Sequence, residues 1–213
     1  MMNRVRSDPS ILETADPKPG KRISRSFFAR DPATVARELI GTYLIKKSDQ
    51  GQRIGGRIVE TEAYLATGDP ASHSARGPTK RNRSMFARAG TLYVYSIHAK
   101  YCLNVSTEVE GIGSAVLIRA IEPIWGLDAM RAARGQHSLR RLTRGPAMLC
   151  QALGVTTEHD GIDLVGCRWL GIYATSSRGL ANGPIALGQT RVAVGGRIGI
   201  SRAAEMPLRF FEE

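Results

Sequence analysis

Arg57-Ile58-Val59-Glu60-Thr61-Glu62-Ala63-Tyr64 reads as a strand. Side chains on a strand point alternately to its two faces, so Ile58, Glu60, Glu62 and Tyr64 share one parity, and Val59, Thr61 and Ala63 the other. Two carboxylates and a phenol then project together. A purely structural strand seldom presents that set. His73 follows closely, and after it the basic run Lys80-Arg81-Asn82-Arg83. Acids, rings, a histidine and a cationic edge within so short a stretch point to an enzyme that cuts a polyanion. Glu60 and Glu62 by themselves admit two readings. They could be exposed acids on a solvent face, or carboxylates that divide acid and base work at a glycosidic bond. Tyr64 on the same face argues against a purely solvated surface.

Outward from this strand the chain reads as an α+β domain with a mostly antiparallel sheet. Asp31-Pro32 looks like a helix cap with proline at the first position, followed by Ala33 to Ile40 and a stop at Gly41. Further strands are expected at Tyr43–Lys46, Thr91–Ile97, Cys102–Val105 and Ala115–Ile121, with a turn over 52–56. Helices are expected over Ile124–Arg134 and Pro146–Leu153, the second closed by Gly154. Short strands follow at Ile185–Leu187, Arg191–Val194 and Ile198–Ile200. Residues 66–88 form a long aperiodic connection whose polar density favours function. Residues 1–22 read as a flexible basic tail, and 23–213 as one domain. There is no βαβ rhythm and no internal repeat.

The 213 residues carry 30 Lys and Arg against 19 Asp and Glu, a net charge of +11. That excess favours nucleic acid as the partner over an anionic membrane. Cys102, Cys150 and Cys167 are odd in number and widely spaced, so neither a disulfide framework nor a zinc site is expected. His73, His98, His137 and His159 show no metal-ligand spacing, and no apolar run is long enough to span a membrane. Gly195-Gly196 fits no phosphate-loop pattern, so no nucleotide cofactor is indicated. A cytoplasmic protein is expected. His73 could be a surface histidine or a polar clamp. Tyr93 and Tyr95 share a face as core or as stacking platforms for a flat ligand. The basic run could be a solvated loop or a grip on phosphates.

Taken in order, several longer motifs carry a specific likeness: Ile58 to Leu65, His73-Ser74, Arg81 to Phe86, Gly90 to Tyr95, Asn104, Leu117 to Pro123, Gly145-Pro146, Leu149 to Leu153, and Pro207 to Phe210. From about residue 24 to its end the chain resembles the alkyladenine (3-methyladenine) DNA glycosylase family, in its bacterial form. The resemblance implies a curved, open-barrel-like sheet akin to the formyltransferase C-terminal domain, flanked by helices. It implies a monomer on damaged duplex DNA, with no cofactor and no metal. By position, Glu62 resembles the base that activates water, and Arg119 the arginine that holds that water and a phosphate. Tyr64, His73 and Tyr95 resemble the walls around a flipped purine. Asn104 resembles the residue that rejects guanine, and Glu60 is left as support. Lys80, Arg81, Arg83 and Lys100 are candidate DNA contacts.

One segment departs from the family. Where a minor-groove tyrosine is expected, the text reads Ser96-Ile97-His98-Ala99-Lys100-Tyr101 and is one residue shorter before Asn104. His98 is the candidate wedge. The resemblance implies hydrolysis of the N-glycosidic bond of alkylated purines such as 3-methyladenine or 7-methylguanine. An intact backbone would remain, since no amine nucleophile is evident at the site. Two rival readings stand beside it: hydrolysis of a free nucleoside, and a non-catalytic nucleic-acid-binding module. The wide positive charge weighs against the first, and the intact site residues against the second.

Overall fold

Two strand partners that change along one long strand set the architecture. A computed structural model of the protein describes residues 17–175 and 191–213. In chain order the elements are β1 (Pro19–Arg22), α1 (Arg25–Phe28), α2 (Pro32–Leu39), β2 (Tyr43–Lys47), β3 (Arg53–Tyr64), β4 (Leu92–Ile97) and β5 (Lys100–Ser106). Then come β6 (Ala115–Trp125), α3 (Leu127–Arg134), α4 (Leu139–Leu142), α5 (Pro146–Leu153), β7 (Leu170–Thr175), β8 (Val192–Gly195) and β9 (Arg209–Glu212). The sheet runs β1-β7-β2-β3-β6-β5-β4, with β9 and β8 attached to β3. Every pairing is antiparallel, and among the described residues the sheet does not close. The expected α+β class is therefore observed.

β3 owes its role to its length. Arg53–Arg57 pairs with β2, Glu60–Glu62 pairs with β9, and the other edge carries β6 from Gly55 to Tyr64. Gly56 permits the close passage of β6, because a Cβ there would lie 1.9 Å from the Glu122 carbonyl oxygen. The expected turn over 52–56 is thus strand from Arg53 onward.

The simple alternation expected for this strand fails at one residue. Ile58 faces Ile121 and Glu60 faces Ala120, so Val59 is an extra residue on β3. Thr61 faces Ile118, so Arg119 is an extra residue on β6. A β-bulge moves the following side chains to the opposite face. Ile58 therefore enters the core with Ala63, while the Thr61 hydroxyl donates to the Ala36 carbonyl at 2.8 Å. Glu60, Glu62 and Tyr64 occupy the other side. The three polar residues do share a face, but Ile58 does not belong with them.

Helix signals read from sequence are realised. The Asp31 carboxylate accepts from the Thr34 N–H at 2.8 Å, and α2 begins at Pro32. Val35, Ala36 and Leu39 are fully buried, with α2 packed on β3. α5 spans the expected residues, ends at Gly154 with φ +60°, and packs on β5 and β6. α3 starts later than expected, at Leu127, because Ile124 and Trp125 continue β6. Pro19–Arg22, read as tail, pair with β7 as an edge strand. Ile198–Ile200 form a bend and not a strand. The segment Ile185–Leu187 lies outside the described residues. β7 and β9 were not anticipated.

Candidate active site

Glu62 is fully buried. Its Oε2 accepts from the Tyr64 hydroxyl at 3.0 Å, and its Oε1 accepts from the Ile198 N–H at 2.8 Å. Arg119 Nη1 stands 3.2 Å from the same Oε1. Glu62, the residue resembling a water-activating base, does not open directly onto solvent: Tyr64, Arg119 and Ile198 stand in between. All three line a cavity, so the carboxylate sits one side chain behind its wall. Glu60 takes the supporting place. Its Oε1 accepts from Arg119 Nε at 3.2 Å and from Arg209 Nη1 at 3.0 Å, which fixes the Arg119 side chain. The bulge at Arg119 is what lets one side chain reach both glutamates.

That cavity measures about 440 Å³ and is lined by Tyr64, His73, Tyr95, Asn104 and Arg119, the five residues named from sequence besides Glu62, with Tyr93, Met85, Cys102 and Pro146 among the others. Such a volume holds a purine-sized ligand. His73 and Tyr95 meet edge-on with ring centroids 4.5 Å apart. The His73 Nδ1 is 2.7 Å from the Tyr93 hydroxyl. Partial burial pushes the His73 pKa below its ordinary value, and the charge of Arg81 pushes it the same way. The ring is therefore neutral at pH 7. Burial, then the charge and hydrogen bond of Glu62, push the Tyr64 pKa far up, so Tyr64 stays a phenol and a donor. The buried Asn104 amide donates to the carbonyls of Tyr93 (3.0 Å) and Cys102 (3.3 Å), which fixes its orientation in the wall.

The fold holds this wall through residues that sequence reading did not single out. Arg197 and Asp69 form a fully buried ion pair, with Nη1–Oδ2 2.6 Å and Nη2–Oδ1 2.7 Å. Arg197 also donates to the Ala63 carbonyl at 3.0 Å, and its guanidinium lies 4.7 Å from the Tyr64 ring centroid. The pair pins the 196–200 bend beside Tyr64 and so sets the Ile198 N–H on Glu62. Asp69 lies in the polar 66–88 connection and Arg197 follows Gly195-Gly196. Nothing local couples two residues 128 positions apart.

The DNA-contact candidates fall into two places. Buried Asn82 donates to the carbonyls of His73 and Gly77, both at 3.0 Å, and accepts from Thr79. That clamp presents Lys80, Arg81 and Arg83 outward, all exposed and, among the described residues, in no ion pair. His98 and Ala99 form a two-residue hairpin tip between β4 and β5, since Ile97 pairs with Lys100. Both have positive φ, +48° and +59°. This is the backbone of a type I′ turn, which favours Asn-Gly. Ile97, half exposed beside the tip, lines the cavity mouth. His98 and Lys100 are exposed there.

A larger cleft of about 810 Å³ adjoins the cavity and shares Arg119 and Ile198 with it. No lysine lines either space among the described residues. Among those residues, no three His, Cys, Asp or Glu side chains gather as a metal site requires. No helix there is long and apolar enough to cross a membrane.

Comparison with known proteins adds one finding. Residues 26–213 match the family described as methylpurine-DNA glycosylase (MPG). A protein of Rhodopirellula baltica is 46% identical over 215 residues, covering 98% of this chain and 88% of the relative. One from Methanoculleus marisnigri is 46% identical, covering 87% and 92%. One from Rhodopseudomonas palustris is 44% identical, covering 90% and 87%. Each bears the name "Putative 3-methyladenine DNA glycosylase".

Proposed function

The chain belongs to the methylpurine-DNA glycosylase family, and from that premise we propose that it excises alkylated purines from duplex DNA by hydrolysing the N-glycosidic bond. The observation that carries this is the ring-walled cavity with a buried carboxylate directly behind it. A base inside a duplex hides its anomeric carbon, so the nucleotide must swing out, at a few kcal/mol, less for damaged pairs. Tyr64 on one side and the His73–Tyr95 pair offer faces for a flat ring. Cationic purines such as 3-methyladenine and 7-methylguanine gain most from those faces. Asn104, whose amide is fixed in the cavity wall, rejects guanine by opposing its exocyclic amine.

In the free enzyme both oxygens of Glu62 are occupied, by Tyr64 and by Ile198. Binding of the extruded nucleotide displaces the Ile198 contact and admits a water between Glu62 and C1′. The water oxygen bonds to C1′, its proton passes to Glu62, and the electron pair of the C1′–N bond leaves with the base. The carboxylate also stabilises the cationic sugar of the transition state. A base that already carries positive charge leaves without an acid, so one carboxylate suffices. That no lysine lines the cavity among the described residues supports a monofunctional enzyme that leaves an abasic site. Tyr64, His73, Tyr95 and Asn104 act as base-pocket residues, Glu62 and Arg119 as the catalytic pair, and Lys80, Arg81, Arg83, His98 and Lys100 as DNA contacts.

The test is release of 3-methyladenine from methylated duplex by the wild type and by Glu62→Gln. Excision should fall by roughly 10²- to 10⁴-fold in the variant, with duplex binding retained. Turnover preserved in Glu62→Gln would remove the base role from Glu62. A borohydride-trapped enzyme–DNA adduct would refute the monofunctional reading.

A further inference from the structure

Arg134, Arg140, Arg141 and Arg144 surround one concavity of about 570 Å³, with Gln136, Ser138 and Met148. Among the described residues no carboxylate lines it. Arg134 is held by neutral acceptors, the Leu142 carbonyl at 3.1 Å and the Gln151 side chain. Arg140, Arg141 and Arg144 are exposed and, among the described residues, in no ion pair. The neighbouring cleft behaves differently. There Arg57 faces Glu122 and Glu212, Arg209 faces Glu60, and Arg119 faces both site glutamates. Of these two spaces, the concavity is the one whose lining carries no ion pair among the described residues.

The backbone beneath it is tied to β6 and leads to the active site. Leu142 is fully buried, and the Thr143 hydroxyl donates to the Ile121 carbonyl at 2.6 Å. Arg144 bridges Ala120, and the Gly145 N–H donates to the Arg119 carbonyl at 3.1 Å. Arg140 and Arg144 also line the cleft that shares Arg119 and Ile198 with the base cavity. Four guanidiniums on a firm base, continuous with the catalytic arginine, suit a run of phosphodiesters.

We propose that this arginine concavity binds the phosphate backbone of undamaged duplex flanking the extruded nucleotide. The inference rests on the reading of the chain as a duplex-acting glycosylase. It adds a backbone station that anchors the enzyme on either lesion-free or damaged DNA.

The experiment measures the salt dependence of binding to an undamaged duplex. Each phosphate neutralised contributes about 0.9 to the slope of log K against log salt. Arg140→Gln/Arg141→Gln/Arg144→Gln should lower that slope by about 2 to 3. The lysine triple at the same positions should restore most of it. The single variants Arg140→Gln and Arg141→Gln, at exposed positions, should each lose about 0.9 and serve if the triple does not fold. Arg131→Gln is the control, since Arg131 is already paired with Asp128 at 2.8 Å. A slope loss no greater than that of the control overturns the proposal. Wild-type excision of 3-methyladenine is measured alongside. If it is present while the slopes do not change, the concavity is wrong and the enzyme reading stands. If it is absent, the enzyme reading itself fails.

Discussion

Asp69→Asn is the most exacting perturbation of this fold. Each Asp69 oxygen accepts two donors: Oδ2 takes Arg197 Nη1 and the Leu65 N–H, and Oδ1 takes Arg197 Nη2 and the Ala71 N–H. An asparagine must place its NH₂ at one of these ends, and either flip sets a donor against two donors. It also strands the Arg197 charge in the interior, beside a buried Arg197 Nε that already lacks a partner among the described residues. Breaking a buried pair by removing one charge costs about 3–5 kcal/mol. That is a large share of the 5–15 kcal/mol by which domains are typically stable. For a chain of this size it corresponds to a fall in Tm of roughly 6–20 °C. Adding Arg197→Met removes the stranded charge and should recover part of the loss. It should not restore excision, because the 198–200 bend that lines the base cavity beside Tyr64 has lost its anchor. The assay is urea unfolding read for the midpoint at constant slope, with single-turnover excision measured below the new transition. An Asp69→Asn variant within about 1 kcal/mol of wild type would refute this account of the pair.

Burial alone would raise the Asp69 pKa, but the Arg197 hydrogen bonds and the Leu65 and Ala71 amides outweigh it and hold the group below its ordinary value. Its contribution to stability is therefore present above the unfolded carboxylate pKa and lost as pH falls through the folded one, which acid titration of wild type against Asp69→Asn will read. His73 is shifted down in the fold, so it protonates only as pH drops below 6.5. Binding of the cationic base to the cavity should then weaken as pH falls through that range in the wild type but not in His73→Gln, and parallel pH profiles of the two would contradict a His73 contact. Ala99→Gly relieves a left-handed residue at the hairpin tip and should stabilise by about 1 kcal/mol, seen as a higher urea midpoint. A lower midpoint would show that Ala99 is not strained. His98→Tyr should tighten duplex binding and favour the flipped state, and unchanged values for both would remove His98 as the wedge.

The sequence by itself determined the features that depend on near neighbours. Asp31-Pro32 capped α2 and Gly154 closed α5, because capping and chain reversal are settled within one turn of backbone. Tyr64, His73, Tyr95, Asn104 and Arg119, picked out by the family resemblance, line one cavity, and Glu62 lies directly behind it. Only the tertiary structure decided which face Ile58 takes, since a bulge at Val59 exists only when β6 is paired opposite. It also decided that Glu62 is buried, that Arg197 meets Asp69, and that four arginines around α4 share one concavity. These are contacts between residues far apart in the chain. Local propensity does not encode them, because their energy appears only once the sheet has brought the partners within reach and excluded water.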